Sequence, residues 1–207
     1  MGGPHKFAVT DQGAGWDTLL AAGVAVAPSS HGRRARGVAD LFGVAYRDGA
    51  FRVDDVEPHQ LAAAIVLIAN ASQQWVTEIL SDRQQRQERL LQRRVAEQLR
   101  RLFPQHEVRQ KARLAGESTK AYDFANVVTL PNRLLIVEPV TNHPGAIAAA
   151  YLKLSDVHRA HPAYPREVVI EHEDGWASGD LAVLSEASDG IRDIAAGLTG
   201  LVEKYAA

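Results

Sequence analysis

Apolar residues recur at helical spacing in two consecutive stretches near the middle of the chain. In residues 57–80, Leu61, Ala64, Ile65, Ile68, Ala69 and Ala71 make one face, and Pro58 suits the first turn. Residues 82–103 form a more polar helix whose stripe, Leu91, Val95, Leu99 and Leu102, advances by four, four and three. Pro104 ends it. Upstream, residues 7–11 predict a short strand, 16–23 a short helix, 25–32 a loop and 33–42 a second short helix. Two alternating runs then flank Asp48-Gly49, a hairpin signal because a type I′ turn needs positive φ at both central positions.

Downstream, alternation predicts strands over 106–115, 120–130 and 133–140. A helix opens at Pro144, capped by Asn142 or His143, with a stripe through Ile147, Ala150, Tyr151, Leu154 and Val157. Residues 167–172 read as an interior strand, 175–179 as a turn, 181–184 as a short strand and 187–205 as a closing helix. The pattern predicts an α+β protein in two parts: a small α+β module over 1–81 and a helix-flanked sheet over 82–207. No internal repeat or low-complexity tract is visible.

Composition narrows the chemistry. The 207 residues are 46% hydrophobic and 23% charged, enough for a real core in a soluble protein. With no cysteine, disulfides, thiolate metal sites and cysteine nucleophiles are excluded, and a cytoplasmic location is expected. No apolar run reaches the roughly 20 residues that span a bilayer, so no membrane partner is expected. The net charge of −2 conceals a split. Residues 82–113 hold ten Lys or Arg against four acids, and residues 167–207 hold nine acids against two basic residues. The basic stretch is a candidate phosphate-binding surface.

Two acids interrupt otherwise apolar strands: Asp123 in Tyr-Asp-Phe and Glu138 in Ile-Val-Glu-Pro-Val. If the connection at Pro131-Asn132 has two residues, Glu138 stands opposite Ala125, whose side chain shares a face with that of Asp123. The two carboxylates are then diagonal neighbours, with Cα atoms on the order of 7–8 Å apart. Two hard oxygen ligands suit Mg²⁺ or Mn²⁺, which can polarise a phosphodiester and activate water. The alternative is a pair of exposed acids, salt-bridged to Arg109 or Arg133.

The order helix, three-stranded meander, helix, strand, with Asp123 in the second strand and Glu138 in the third, resembles the PD-(D/E)xK nuclease superfamily. The resemblance implies a restriction-endonuclease-like αβββαβ core, metal binding by Asp123 and Glu138, and a lysine that assists. Val140 occupies the lysine position. Lys153 on the following helix and Lys111 on the preceding strand are the substitutes it suggests, Lys120 alternating to the wrong face. An acid of the first helix, Glu88 or Glu97, also fits the pattern. At a finer level, Thr10-Asp11-Gln12-Gly13 with Thr18-Leu-Leu20, and Gly116-Glu-Ser118 with Tyr122-Asp-Phe124, resemble a two-domain family of phages, prophages and mobile elements.

The arginines at 86, 93, 94, 100 and 101 (Arg86, Arg93, Arg94, Arg100 and Arg101) suit a phosphate backbone. They also suit a solvated face, or a helix that pairs with the acidic C-terminal region, another subunit or a protein partner; the stripe Leu91, Val95, Leu99 and Leu102 suits packing on its own sheet ahead of a homodimer. His143, His158, His161 and His172 have no carboxylate at a recognisable zinc-ligand spacing. Gly13-Ala-Gly15 does not complete a dinucleotide fingerprint and no Walker A sequence exists, so no nucleotide cofactor is expected. Two expectations result. One is a metal-dependent DNA endonuclease, or its descendant, from a phage, mobile-element or defence setting. The other is a nucleic-acid- or protein-binding module that keeps the nuclease fold without a complete site.

Overall fold

A computed structural model describes residues 6–25 and 28–205. The chain is α+β and divides into two compact units, Met1–Gln85 and Arg86–Ala207. In the first unit β1 (Phe7–Thr10), α1 (Ala14–Ala21), α2 (Pro28–Phe42), β2 (Ala45–Arg47) and β3 (Ala50–Val56) precede the long helix α3 (Leu61–Leu102). The strands form an antiparallel sheet in the order β1-β3-β2. Asp48 and Gly49 turn the hairpin with φ of 51° and 82°, the left-handed pair that the sequence predicts there.

Trp75 of α3 centres the first core at 1% exposure, edge-on to Trp16 at 4.8 Å between ring centroids. Asp11 ties the elements together. Its Oδ1 accepts from the backbone of Gly13 and Phe51, and its Oδ2 accepts from Ser72 Oγ at 2.7 Å. The Thr-Asp-x-Gly turn is therefore a three-way junction between β1, β3 and α3.

In the second unit the rest of α3 leads into β4 (Val108–Ala115), β5 (Ala121–Leu130), β6 (Arg133–Pro139), α4 (Pro144–Ala160), β7 (Arg166–Ile170), α5 (Ser178–Ala187), β8 (Gly190–Asp193) and α6 (Gly200–Tyr205). The sheet order is β4-β5-β6-β7-β8. Its first three strands are an antiparallel meander; β6, β7 and β8 run parallel, joined by the crossovers α4 and α5. One face carries Leu91, Val95 and Leu99 of α3, with Phe103 just beyond it, against Val128, Leu135, Val137 and Val169. The other carries Ile147, Leu154 and Val157 of α4, with Leu184 of α5, against Val127, Ile136, Val168 and Ile170. The stripe from Leu91 to Leu99 is thus spent on its own sheet.

Glu167 is fully buried beneath α6, yet it is compensated: Arg192, Lys204 and Tyr205 all donate to it. Burial and the neighbouring carboxylate push the Tyr205 hydroxyl up to about 12. No helix among the described residues is long and apolar enough to cross a membrane.

Several boundaries differ from the sequence pattern. The two predicted helices of residues 57–80 and 82–103 are one helix, because Leu80-Ser81-Asp82 contains neither Gly nor Pro to stop it. Residues 28–32, expected in a loop, belong to α2. Residues 181–184, expected as a strand, lie inside α5, and the closing helix is replaced by β8 and the short α6. Four residues of β8 paired in parallel to β7 carry no alternation long enough to register.

Candidate active site

The hairpin of β5 and β6 has the expected two-residue connection, Leu130 facing Arg133, and its register runs to Asn126 opposite Val137. At the next position the ladder gives way to a side chain. Ala125 donates its backbone N–H to Glu138 Oε2 at 2.9 Å. Lys153 reaches down from α4 and places Nζ 2.5 Å from Glu138 Oε1 and 3.4 Å from the carbonyl of Asp123. The same ammonium lies 5.2 Å from the centre of the Phe124 ring. Glu138 is 5% exposed. Burial pushes its carboxyl up, Lys153 and the Ala125 N–H hold it down, and the charge of Glu88 on α3 adds to the rise.

Asp123 does not share that face. Ile136 and Val140, in phase with Glu138, pack in the α4 cluster, and so do Tyr122 and Phe124 on either side of Asp123. Alternation sends the exposed Asp123 side chain to the opposite surface. The expected diagonal pair is lost because β5 reverses its phase between Phe124 and Val127. Both of those residues face α4, although regular alternation over three residues would separate them. The partner strand shows the cause. Lys111 has φ of 52°, and the β4–β5 ladder skips the Lys111 and Ala125 positions while keeping register on both sides.

Of the two substitute lysines, Lys153 joins Glu138, whereas Lys111 is exposed and forms no ion pair with Asp123 or Glu138. Glu88 is half-buried and accepts from Gln92, while Glu97 is exposed. Val140, where the resemblance leads one to expect a lysine, is a core residue at 2% exposure. The histidines are dispersed: His143 caps α4 by accepting from Gly145, and His161 stacks on Tyr164. Among the described residues no group of three or more His, Cys, Asp or Glu side chains could hold a metal ion.

Arg86, Arg93, Arg94, Arg100 and Arg101 are exposed. At about 100° per residue Arg86, Arg93 and Arg100 project from the side of α3 opposite Leu91, Val95 and Leu99, and Arg94 and Arg101 from one flank. Two are engaged: Arg94 pairs with Glu171, and Arg100 donates to Gln110 at 2.9 Å.

Two polar features escape the sequence pattern. Asp156 of α4, 3% exposed, accepts from the backbone and hydroxyl of Ser118 and from Arg159. The Ser118 hydroxyl foremost holds its carboxyl below the usual range, against a smaller opposing effect of burial. Gly116 lies directly against this carboxylate, where an added Cβ would stand 2.0 Å from Oδ2. The Gly-x-Ser signal is visible in the sequence; its partner 38 residues on is not. The second feature is Asn126, fully buried on the α3 side, with no hydrogen-bond partner for either amide atom.

No family model matches the sequence, and no curated protein matches it either. Among solved structures, the crystal structure of a protein of unknown function, AF1548, matches with a TM-score of 0.37 and 10% identity. The match covers 50% of this chain and spans 59% of that protein's length.

Proposed function

We propose that the second unit is a nuclease-derived module of PD-(D/E)xK-like build that binds nucleic acid without a working metal site. One observation carries this reading. Glu138, the acid that would anchor the metal, is buried and neutralised by Lys153, while Asp123 projects from the opposite face. A divalent cation needs several oxygen donors converging on one point. Here it would have to displace Lys153 from one acid and recruit the other through the sheet, so the donor set does not fit. The exposed arginines of α3 supply the binding surface, holding phosphates by charge.

A second reading, a metal-dependent DNA endonuclease of a phage, mobile-element or defence system, is favoured by a different detail. Lys153 touches both the Glu138 carboxylate and the Asp123 carbonyl, as a lysine moved to the helix would in the superfamily it resembles. Incubation with plasmid and single-stranded DNA, with Mg²⁺, Mn²⁺ or chelator, separates the two. The binding module gives salt-sensitive complexes, no cleavage, and no change in affinity with Asp123→Ala or Glu138→Gln. Metal-dependent cleavage lost in both variants would establish the nuclease. Absence of any complex at low salt would leave a protein partner in place of DNA.

A further inference from the structure

Between residues 86 and 101, α3 carries six arginines and no lysine. Five of them sort into two rows. Arg86, Arg93 and Arg100, opposite the buried stripe, follow one another at intervals of seven and drift by only about 20° per step. Arg94 and Arg101 repeat the interval about a quarter-turn away round the helix. Between the rows runs a line of another character, Leu90 and Glu97, also seven apart. Both are exposed, Leu90 by 50%.

The spacing of the rows has a counterpart. Rows a quarter-turn apart, on side chains reaching roughly 6–8 Å from the axis, set guanidinium groups about 8–12 Å apart. The major groove of B-form DNA is about 12 Å wide, is walled by phosphates on both sides, and admits one α-helix. The sheet holds one member of each row, Arg94 through Glu171 and Arg100 through Gln110. Arg86 and Arg93 in one row, and Arg101 in the other, have no ion-pair partner among the described residues.

Resting on the nucleic-acid-binding reading above, we propose that residues 86–101 of α3 enter the major groove of duplex DNA. The two arginine rows hold phosphates of opposite strands, and Leu90 and Glu97 face the base edges between them. This narrows the ligand to one class. An RNA duplex has a deep, narrow major groove that a helix cannot enter, and a single strand offers no second row of phosphates. The line between the rows suits what the groove presents: a carboxylate accepts from the cytosine amino group, and an apolar side chain packs on the thymine methyl. A face that serves only for solubility has no need to sort its cations to either side of an exposed leucine.

The test measures binding of the full chain to a mixed-sequence DNA duplex by fluorescence anisotropy. Three further probes are its RNA counterpart, its single strand, and the same duplex with a glucosylated hydroxymethyl group at C5 of every cytosine. That group fills the major groove and leaves the phosphates and the minor groove as they were. All three are expected to bind on the order of tenfold more weakly than the plain duplex. Leu90→Ala keeps the charge and should weaken duplex binding about threefold with an unchanged salt slope, a loss that vanishes when uracil replaces thymine. Equal affinity for the plain duplex and any of the three probes, or a Leu90→Ala protein that binds as wild type does, would overturn the proposal and leave the nucleic-acid reading standing. Absence of a complex with every probe at low salt would overturn both.

Discussion

Lys153 on α4 and Glu138 on β6 form a nearly dry ion pair, with Nζ 2.5 Å from Oε1 and the two side chains 17% and 6% exposed. A pair of this kind costs most when one member is removed, since the survivor stays buried and charged. Lys153→Met is expected to destabilise the second unit by about 3–5 kcal/mol in urea denaturation. A loss below about 1 kcal/mol, the range of exposed pairs, would show that water reaches Glu138 freely.

The same carboxylate makes stability depend on pH in an uncommon direction. Burial foremost raises the Glu138 pKa above its unfolded value, so the folded state holds this proton more tightly than the unfolded chain does. The resulting stabilisation is full below the unfolded value near 4.5 and is lost as pH rises through the raised one. Glu138→Gln removes that dependence. Wild type minus variant, followed by denaturation from pH 4 upward, should therefore fall with pH. A difference that grows with pH would mean that Lys153 outweighs burial.

Gly116 and Asp156 are matched by shape. Gly116→Ala forces a methyl into the carboxylate and should cost about 1–3 kcal/mol, as overpacking does. Ser118→Ala removes the hydroxyl donor to the same carboxylate, keeps the backbone N–H and adds no clash, and is expected to be milder. The order of the two denaturation midpoints is the check.

Asn126 contributes no visible hydrogen bond in return for its desolvation. Asn126→Leu, of similar volume, should raise stability by about 1–3 kcal/mol. If that gain comes with weaker nucleic-acid binding, the amide is kept for function; unchanged binding would assign it to the fold alone.

The arginines are not equivalent. Arg86, Arg93 and Arg101 have no ion-pair partner among the described residues, whereas Arg94 is held by Glu171. Each of the first three changed to Ala should lower the salt slope of DNA binding by about 1, uniformly across sequences. Arg94→Ala should change it less. Equal effects from all four would show that the Glu171 pair opens on binding.

The element types of the meander and of α4 were legible in the residues because each carries a long period and strong punctuation. Pro131-Asn132, Pro104 and Pro144 mark ends that the structure keeps. Elements of four to ten residues near the end of the chain were not legible: α5 and β8 are too short to separate one period from the other. At the site, the sequence identified Glu138 and offered Lys153 as its lysine, and those two meet. It placed Asp123 on the wrong face. Alternation is a local rule, and the break at Ala125 depends on the backbone of Lys111 in another strand. Asp156 and Asn126 were missed for a related reason, since burial and partners are properties of the assembled sheet.

The division between the units falls at Gln85 and Arg86, within α3. No loop offers itself there as a place to separate them. A fragment beginning at Arg86 would start in mid-helix, exposing four backbone N–H groups that the preceding turn now satisfies. Either half, expressed by itself, would need an engineered helix end: an Asn, Asp or Ser cap for the second, a glycine stop for the first. The modular reading of the chain holds for its cores but not for its backbone, since the hydrogen-bonded turns of α3 run on past the division.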